Sequence, residues 1–414
     1  MASSPVRMRP LALASWVLLL LLTALPARSE QQLLQVRPGL EVLLRDHLPE
    51  LKGRRVGLVC NHTAIDSHGN HAIDLLRDSG VQLVALFSPE HGIRGRVVAG
   101  KIADSTDPIS GLPIYSLYGD TRKPTPQMLN GIDLLLFDLQ DIGARFYTYS
   151  STLALVMQAA GEQGIPVWVL DRPNPTGGAM TQGPLLDPAC ASFLGYYPIP
   201  VRHGMTLGEL ALLFRGEYQV ACEVQVIHAE GWRRVDLWEA TGLPWVPPSP
   251  SIWHPSATLT YPAMCFFEGT NCSIGGSTYK PYEVVAAPWI EPEPLCAELN
   301  RRGYPGVRFE CIEYVPAKPN DGKYQGELCK GIHLQVTDPA TFDPVLCGAA
   351  LLQAIGRQYP EKISYRRPHM RLLAGSGTFL DEVLKAKDLT VLKSRWDRDC
   401  ATFNKLRQPY LLYR

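Results

Sequence analysis

The sequence predicts an α/β fold, in which helices cover both faces of a parallel β-sheet, followed by a smaller C-terminal α+β domain. Short, nearly continuous apolar runs alternate with helical segments in the first part of the chain, as expected for parallel strands buried on both faces. From about Ala287 the pattern changes: helices at 294–301 and 344–359 enclose two strands at 307–314 and 331–336.

Each strand of the predicted parallel sheet is a short apolar run bounded by polar residues. The strands are predicted at 55–60, 81–87, 113–117, 132–137, 165–170 and 223–228, with one more at 265–268. Helices are predicted at 39–47, 72–79, 151–163 and 207–215. Gly80 and Gly164 act as stop signals for two of these helices. The proline-rich stretch 245–250 is predicted to be extended.

The N-terminal segment 1–29 predicts a secretory signal peptide. Arg7 and Arg9 precede an apolar run at 11–25, and the small residues around Ala27 suit a cleavage site. An uncleaved anchor is the alternative, but the run is shorter than the about 20 residues that a membrane span needs. We therefore expect a secreted protein with a catalytic domain at 30–286 and an auxiliary domain at 287–414.

The charge balance and the cysteines limit the function classes. The chain has 40 basic and 40 acidic residues and no long basic run, so neither nucleic acid nor a membrane surface is an expected partner after signal cleavage. An even number of cysteines, ten, predicts disulfides in an exported chain, with Cys311 and Cys329 as the suggested pair. The sequons at Asn61 and Asn271 follow predicted buried strands, so glycosylation is not expected there.

The sequence contains no glycine-rich nucleotide-binding motif and no nucleophile elbow, which argues against a dinucleotide or phosphate cofactor and against an esterase. The histidines at 62, 68 and 71 have no recognised ligand spacing, so no metal is predicted. The chain is therefore expected to work without a cofactor.

Glu90 is the main catalytic candidate. It stands in Ser88-Pro89-Glu90-His91-Gly92, directly after a predicted strand, and ligands of such sheets bind beyond the carboxyl ends of the strands. Glycoside hydrolysis uses two carboxyl groups that flank the bond. Glu90 suits the acid, with His91 orienting it. An ordinary loop carboxylate is the alternative for a Glu considered alone.

Two aspartates after the fourth strand are candidates for the second carboxylate. Either Asp138 or Asp141 is predicted to act as the base or to stabilise positive charge on a sugar ring. The alternative for Asp141 is an ion pair with Arg145, four residues further on. Tyr147 either stacks on a sugar or belongs to the core. Binding candidates on later loops are Asp171, Arg172, Asn174, Arg202 and His203.

Six motifs occur in order along the chain: SPEHGIRG at 88–95, GLPIYSLYG at 111–119, GIDLLLFDLQDIGARFYTY at 131–149, LDRPNPTGG at 170–178, PIPVRHGMTLGELA at 198–211 and WVPPSP at 245–250. They closely resemble the exo-β-N-acetylmuramidases of bacterial peptidoglycan recycling, and the similarity extends to the HLQVTD segment at 333–338. The resemblance implies a Rossmann-like catalytic domain without a nucleotide. It also implies release of N-acetylmuramic acid, or a related N-acetylhexosamine, from the non-reducing end of peptidoglycan fragments.

The resemblance also implies residue roles. Glu90 matches the catalytic glutamate of the family. The positions that match other cleft residues are Asn61, His91, Asp138, Gln140, Asp141, Arg145, Tyr147, Asp171, Arg172, Asn174, Arg202 and His203, and the EGTN segment adds Glu268 and Asn271.

One loop departs from the family pattern. Ile274 stands where the family has Glu, and Gly276 stands where it has Arg. If the missing residues contact the sugar, the protein has another preference or has lost activity. The leading hypothesis is an active exo-glycosidase, and the second is a catalytically weak protein that binds peptidoglycan fragments. A different hydrolase, such as an esterase or amidase, is the third.

Overall fold

A seven-stranded sheet forms the centre of the larger part of the structure. The computed structural model describes residues 35–93, 103–276, 278–318 and 322–414, so the predicted signal peptide lies outside the described residues. The strand order is β3-β4-β2-β1-β5-β6-β9, and all neighbours are parallel except β3 and β4. The strands are β1 Val56–Cys60, β2 Leu83–Ser88, β3 Ser105–Thr106, β4 Pro113–Ser116, β5 Leu134–Asp138, β6 Val167–Leu170 and β9 Val224–Ile227.

Apolar side chains cover both faces of this sheet, as the continuous apolar runs predicted. In β5, Leu135 and Phe137 enter one hydrophobic cluster, whereas Leu134 and Leu136 enter another on the opposite face. Alternate residues of a strand point to opposite faces, so a central strand buried on both must be apolar throughout. The predicted α/β class with a parallel sheet is confirmed.

Helices pack against the sheet and continue through the C-terminal part. They are α1 Gly39–Val42, which runs through a π-helical turn Leu43–His47 into α2 Leu48–Leu51, then α3 Ala72–Asp78, α4 Tyr149–Glu162, α5 Leu207–Glu217, α6 Pro255–Met264, α7 Pro292–Arg301, α8 Pro344–Gln358, α9 Arg367–Ala374, α10 Phe379–Lys385 and α11 Thr390–Arg407. Within the described ranges, no helix is both long and apolar enough to cross a membrane.

One predicted strand is wrong. Residues 265–268 lie in a 3₁₀ helix, Cys265–Gly269, that continues directly from α6. Cys265, Phe266 and Phe267 are all at most 1% exposed. A short apolar run that is buried on every side has no periodicity to distinguish a strand from a helix.

A second, antiparallel sheet characterises the smaller C-terminal part. Its order is β10-β12-β11, formed by Val284–Ala287, Cys329–Val336 and Val307–Tyr314. A two-stranded ribbon, β7 Gln182–Leu185 with β8 Pro200–Arg202, lies in the larger part. The predicted limit between residues 286 and 287 stays a prediction.

The predicted pairing of Cys311 with Cys329 is wrong. Cys329 is opposite Tyr314 in the β11–β12 register, three residues beyond Cys311. Positions separated by an odd number of residues point to opposite faces of a strand, so the two thiols diverge. All ten cysteines are free thiols.

Candidate active site

A cleft of about 610 Å³ opens at the carboxyl ends of β2 and β4. One wall comes from the loops that follow these strands, with Glu90, His91 and Tyr118, and from the segment before α4. The opposite wall comes from residues far along the chain, which include Glu268 and Arg366. The cleft therefore combines the strand ends of the parallel sheet with the C-terminal part of the chain.

Glu90 lies two residues beyond β2 and is half-buried in the cleft wall. Thr148 Oγ1 donates a hydrogen bond to Glu90 Oε2 over 3.0 Å. The next residue, His91, has a φ of 73°, a left-handed conformation that non-glycine residues seldom adopt and that concentrates at functional sites. Burial, together with the Glu90 carboxylate, raises the pKa of the neighbouring Tyr118 hydroxyl.

Glu268 provides a second carboxylate in the same cleft. It sits in the 3₁₀ helix after α6, and the Tyr282 hydroxyl donates a hydrogen bond to its Oε1 over 2.7 Å. His369 Nε2 lies 3.6 Å from Glu268 Oε2. Burial, and then the Glu268 charge, raise the pKa of Tyr282 well above its usual range, so its hydroxyl stays a donor at neutral pH.

Aromatic side chains line the cleft between these carboxylates. Tyr147 contacts Tyr149 and Tyr261 edge to face, with ring centroids 4.8 and 5.9 Å apart, and Phe193 lies across from Tyr118 at 6.2 Å. Burial raises the pKa of Tyr147 well above its usual range. Tyrosine combines an apolar face with a hydroxyl, which suits a sugar ring and its polar substituents.

Asp138 does not line the cleft. It is the last residue of β5 and is fully buried, where it pairs with Arg172 through two bonds of 2.5 and 3.0 Å. Arg172 also donates to the Ile65 carbonyl at 2.8 Å. The structure thus places both residues in an internal ion pair beneath the strand ends.

Asp141 and Arg145 do not form the ion pair that the sequence suggested as the alternative role of Asp141. Asp141 accepts a hydrogen bond from the Gly143 amide at 2.7 Å, and His203 Nε2 lies 3.4 Å from the same oxygen. Arg145 is fully buried and donates to four carbonyls, those of Pro184, Ile199, Leu373 and Ala374. Burial lowers the pKa of Arg145 to about 9. This guanidinium ties the segment between β5 and α4 to the C-terminal end of α9.

The other predicted residues support the loops around the cleft and are not among its lining residues. Asn61 donates to the Tyr149 hydroxyl at 2.7 Å. Gln140 donates to the carbonyls of residues 141 and 173, and Asn271 donates to that of residue 362. Asp171 accepts hydrogen bonds from Thr206 and Gly208, Asn174 donates to the carbonyl of residue 205, and Arg202 donates to the side chain of residue 182. The residues of the predicted site that line the cleft are Glu90, His91, Tyr147 and Glu268.

Several lining residues were missed by sequence reasoning. Tyr118 and Thr148 adjoin predicted strand or helix ends, so their positions carried a usable signal. Lys323, Arg366 and His369 carried none, because nothing local indicates that these C-terminal segments return to the strand ends. The missed residues in the cleft include Tyr118, Arg122, Thr148, Phe193, Tyr282, Lys323, Arg366 and His369.

Comparison with known proteins identifies the family of this chain. The two family models of exo-β-N-acetylmuramidase NamZ match the chain, the N-terminal model at residues 56–256 and the C-terminal model at 259–413. The chain belongs to the NamZ family. The peptidoglycan β-N-acetylmuramidase NamZ of Bacillus subtilis is 41% identical over 382 residues, which cover 92% of each chain.

Two crystal structures of DUF1343 family proteins from Bacteroides fragilis share the fold of this NamZ family member. One is 36% identical with a TM-score of 0.86, and the other is 32% identical with a TM-score of 0.74. Each comparison covers 92% of this chain and 99% of the other. The similarity therefore includes both the parallel sheet and the smaller C-terminal part.

The two positions at which the sequence predicts a departure from the family pattern lie at the cleft. Ile274 and Gly276 are lining residues, on the loop that follows Glu268. Ile274 is 8% exposed and belongs to the main hydrophobic cluster. The two positions where the family resemblance implies charged groups are thus an apolar side chain and a glycine, and Glu90 and Glu268 line the same cleft.

Proposed function

We propose that this protein is an exo-acting glycoside hydrolase that releases N-acetylmuramic acid, or a related N-acetylhexosamine, from the non-reducing end of peptidoglycan fragments. The observation that carries the proposal is the presence of two carboxylates, Glu90 and Glu268, in one aromatic-lined cleft. Glycosidases commonly use such a pair. The 41% identity to a peptidoglycan β-N-acetylmuramidase supports the same substrate class.

In this proposal Glu90 protonates the glycosidic oxygen. The proton moves from the Glu90 carboxyl to that oxygen as the bond to the sugar carbon breaks, and the remaining saccharide leaves as an alcohol. A water molecule adds its oxygen to the sugar carbon, and the proton that it releases replaces the one that Glu90 gave up. The hydrogen bond from Thr148 holds Oε2 and so orients the carboxyl group for this transfer. His91, next in the chain, fixes the loop in a conformation that directs the carboxyl into the cleft.

Glu268 provides the negative charge that faces the positively charged sugar ring. The Tyr282 hydroxyl and His369 hold this carboxylate in position. A preorganised charge stabilises a developing opposite charge without reorganisation during the reaction. Asp138 and Asp141, the alternatives from the sequence, are engaged with Arg172 and with Gly143 and His203.

Glutamine substitutions test the proposal. On a chromogenic β-N-acetylmuramide, Glu90→Gln and Glu268→Gln should each lower kcat by at least about 100-fold, because acid–base catalysis contributes about 10²–10⁴-fold. Calorimetry should show that both variants still bind N-acetylmuramic acid. Glu239→Gln, at an exposed site outside the cleft, is the matched control.

The alternative function is binding without turnover, which the altered residues 274 and 276 favour. Its signature would be measurable binding of N-acetylmuramic acid by the unmutated protein and no release of sugar from any N-acetylhexosaminide or muropeptide. That result would overturn the hydrolase proposal. Turnover by the unmutated protein that Glu90→Gln leaves intact would instead remove Glu90 from the mechanism.

We also propose that the protein is exported. The basic start, the apolar run at 11–25 and the small residues around Ala27 support this assignment. N-terminal sequencing of protein recovered from the culture medium should begin close to residue 30. Recovery of the chain only inside cells, with Met1 retained, would contradict export.

A further inference from the structure

The cleft has more positive charge than its two carboxylates require. Arg122, Lys323 and Arg366 line it together with Glu90 and Glu268. Arg366 is not among the hydrogen-bond and ion-pair partners described for the two carboxylates, which are Tyr118 and Thr148 for Glu90, and Cys265, Tyr282 and His369 for Glu268. The charge of Arg366 is therefore not explained by neutralisation of the catalytic pair.

Two of the three cations have internal partners. Lys323 Nζ donates to the Cys272 carbonyl over 3.1 Å, which holds the ammonium group against the loop after Glu268. The Arg122 guanidinium lies over the Phe193 ring, 4.6 Å from its centroid. These contacts fix both groups at the cleft.

Arg366 differs from the neighbouring arginines in the use of its side chain. Arg367 forms two bonds of 3.0 and 3.1 Å with Asp381, and Arg371 donates to the Ala189 carbonyl at 2.7 Å. Among the described residues, the Arg366 guanidinium forms no hydrogen bond and no ion pair. It is exposed to the cleft.

The backbone nevertheless holds Arg366 firmly beside Glu268. Its amide donates to the Gly269 carbonyl over 2.7 Å, and the preceding Tyr365 forms an isolated β-bridge with Thr270. Met370, one turn into α9, lies so close to Gly269 that an added Cβ would approach its methyl group to 2.9 Å. A guanidinium on a fixed backbone, with free donors and adjacent to a catalytic carboxylate, is suited to bidentate binding of an anion.

We propose that Arg366 binds a carboxylate substituent of the sugar and replaces the arginine that is missing at Gly276. This inference rests on the proposed glycosidase function and adds the specificity residue for an acidic sugar. N-acetylmuramic acid carries such a group, the lactyl carboxylate, whereas N-acetylglucosamine does not. Gly276 lines the same cleft, so the side chain comes from the start of α9 instead of from the loop after Glu268.

A charge-only change in the substrate tests the assignment. The chromogenic β-N-acetylmuramide and its lactyl methyl ester have nearly the same shape and differ in the negative charge. The unmutated protein should prefer the acid by kcat/KM on the order of 10- to 100-fold, the range for hydrogen bonds to a charged group. Arg366→Ala should remove most of this preference through KM, with kcat nearly unchanged, because the contact is remote from the broken bond.

Matched variants decide between Arg366 and its neighbours. Arg366→Lys should keep part of the preference, since it retains the charge and loses the bidentate geometry. Arg367→Ala, one residue away and paired outside the cleft with Asp381, should leave the preference unchanged. An unchanged acid-to-ester ratio of kcat/KM in Arg366→Ala would overturn the assignment. The assignment would also fail if Arg122→Ala or Lys323→Met abolished the preference for the acid and Arg366→Ala did not.

Binding separates this inference from the proposed activity. If the unmutated protein hydrolyses no muramide, the proposed function fails, and calorimetry with free N-acetylmuramic acid and N-acetylglucosamine still tests Arg366. Arg366→Ala should then weaken binding of the acidic sugar on the order of 10-fold or more and leave binding of the neutral sugar unchanged. Equal losses for both sugars would contradict a role in carboxylate recognition.

Discussion

Thr148 Oγ1 donates a hydrogen bond to Glu90 Oε2 over 3.0 Å. Thr148 directly precedes α4 and is 7% exposed, and its carbonyl accepts a bond from the Thr152 hydroxyl at 3.1 Å. The loop after β2 is thereby anchored to a buried helix start. Since α4 packs on the parallel sheet, the orientation of the proposed acid depends on a rigid element and not on the loop alone.

Removing this hydroxyl should impair catalysis more than binding. We expect Thr148→Val to lower kcat on a chromogenic muramide by about 10- to 100-fold, because one hydrogen bond to a charged group contributes about 1.5–3 kcal/mol. Thr148→Ser, which keeps the donor, should stay within about 3-fold of the unmutated protein. A loss shared equally by the Ser and Val variants would show that packing of the methyl group matters and not the hydrogen bond.

The Asp138–Arg172 pair should act on stability. Both residues are buried, at 0% and 6% exposure, so removing one charge leaves the other without its partner in the interior. We expect Asp138→Asn to lower the free energy of unfolding by about 3–5 kcal/mol in denaturant titrations. Asp381→Asn breaks the exposed pair with Arg367 and should cost at most about 1 kcal/mol.

The same variant tests the role that the sequence predicted for Asp138. If Asp138→Asn unfolds at the same denaturant concentration as the unmutated protein but turns over no substrate, Asp138 takes part in the reaction. If stability falls and the remaining folded protein keeps its kcat, the ion pair is structural.

The parallel sheet was predictable because the same physical requirement acts on every central strand. Residues 134–137 must be apolar on both faces, and the sequence shows this directly. The sequence predicted that the catalytic residues lie near the carboxyl ends of the strands, but not which of these residues line the cleft. Glu90 and Asp138 both stand at the carboxyl ends of buried strands, but Asp138 is still within β5, whereas Glu90 is two residues beyond β2 and lines the cleft.

The second wall of the cleft could not be predicted from local patterns. Glu268 was assigned to binding from the family pattern alone, and Arg366 was not assigned at all. Their positions depend on long-range contacts, such as the bond from the Arg366 amide to the Gly269 carbonyl, which join segments about a hundred residues apart. Such pairings follow from tertiary packing and leave no periodicity in the sequence.

Oxidation should link Cys296 to Cys311. Their sulfur atoms are 3.3 Å apart, on α7 and β11, and Cys311 is exposed. We expect Cys311 to react first with oxidised glutathione, because burial raises the pKa of Cys296 to about 12. Attack by Cys296 on the mixed disulfide then releases reduced glutathione.

Peptide mapping by mass spectrometry after incubation in an oxidising glutathione buffer tests this pairing. A cross-linked peptide joining residues 296 and 311, lighter by two hydrogen atoms, is the expected product. Cys311→Ser should abolish it, and Cys329→Ser should not. A cross-link between Cys311 and Cys329 would contradict the β11–β12 register.

Asp171 should make stability depend on pH. Burial, opposed by hydrogen bonds from Thr206 and Tyr413 and by the Gly208 amide, raises its pKa from 3.8 to about 6. The folded protein therefore favours the protonated form more than the unfolded chain does. The stabilising contribution is complete below about pH 4 and is lost as the pH rises through about 6.

The difference between Asp171→Asn and the unmutated protein isolates this contribution. A pKa of about 6 instead of 3.8 corresponds to about 3 kcal/mol. The free energy of unfolding of the unmutated protein, minus that of the Asn variant, should therefore fall by up to this amount between about pH 4 and 6.5. A flat difference for Asp171→Asn would mean that the hydrogen bonds outweigh burial and keep the carboxylate ionised throughout this range.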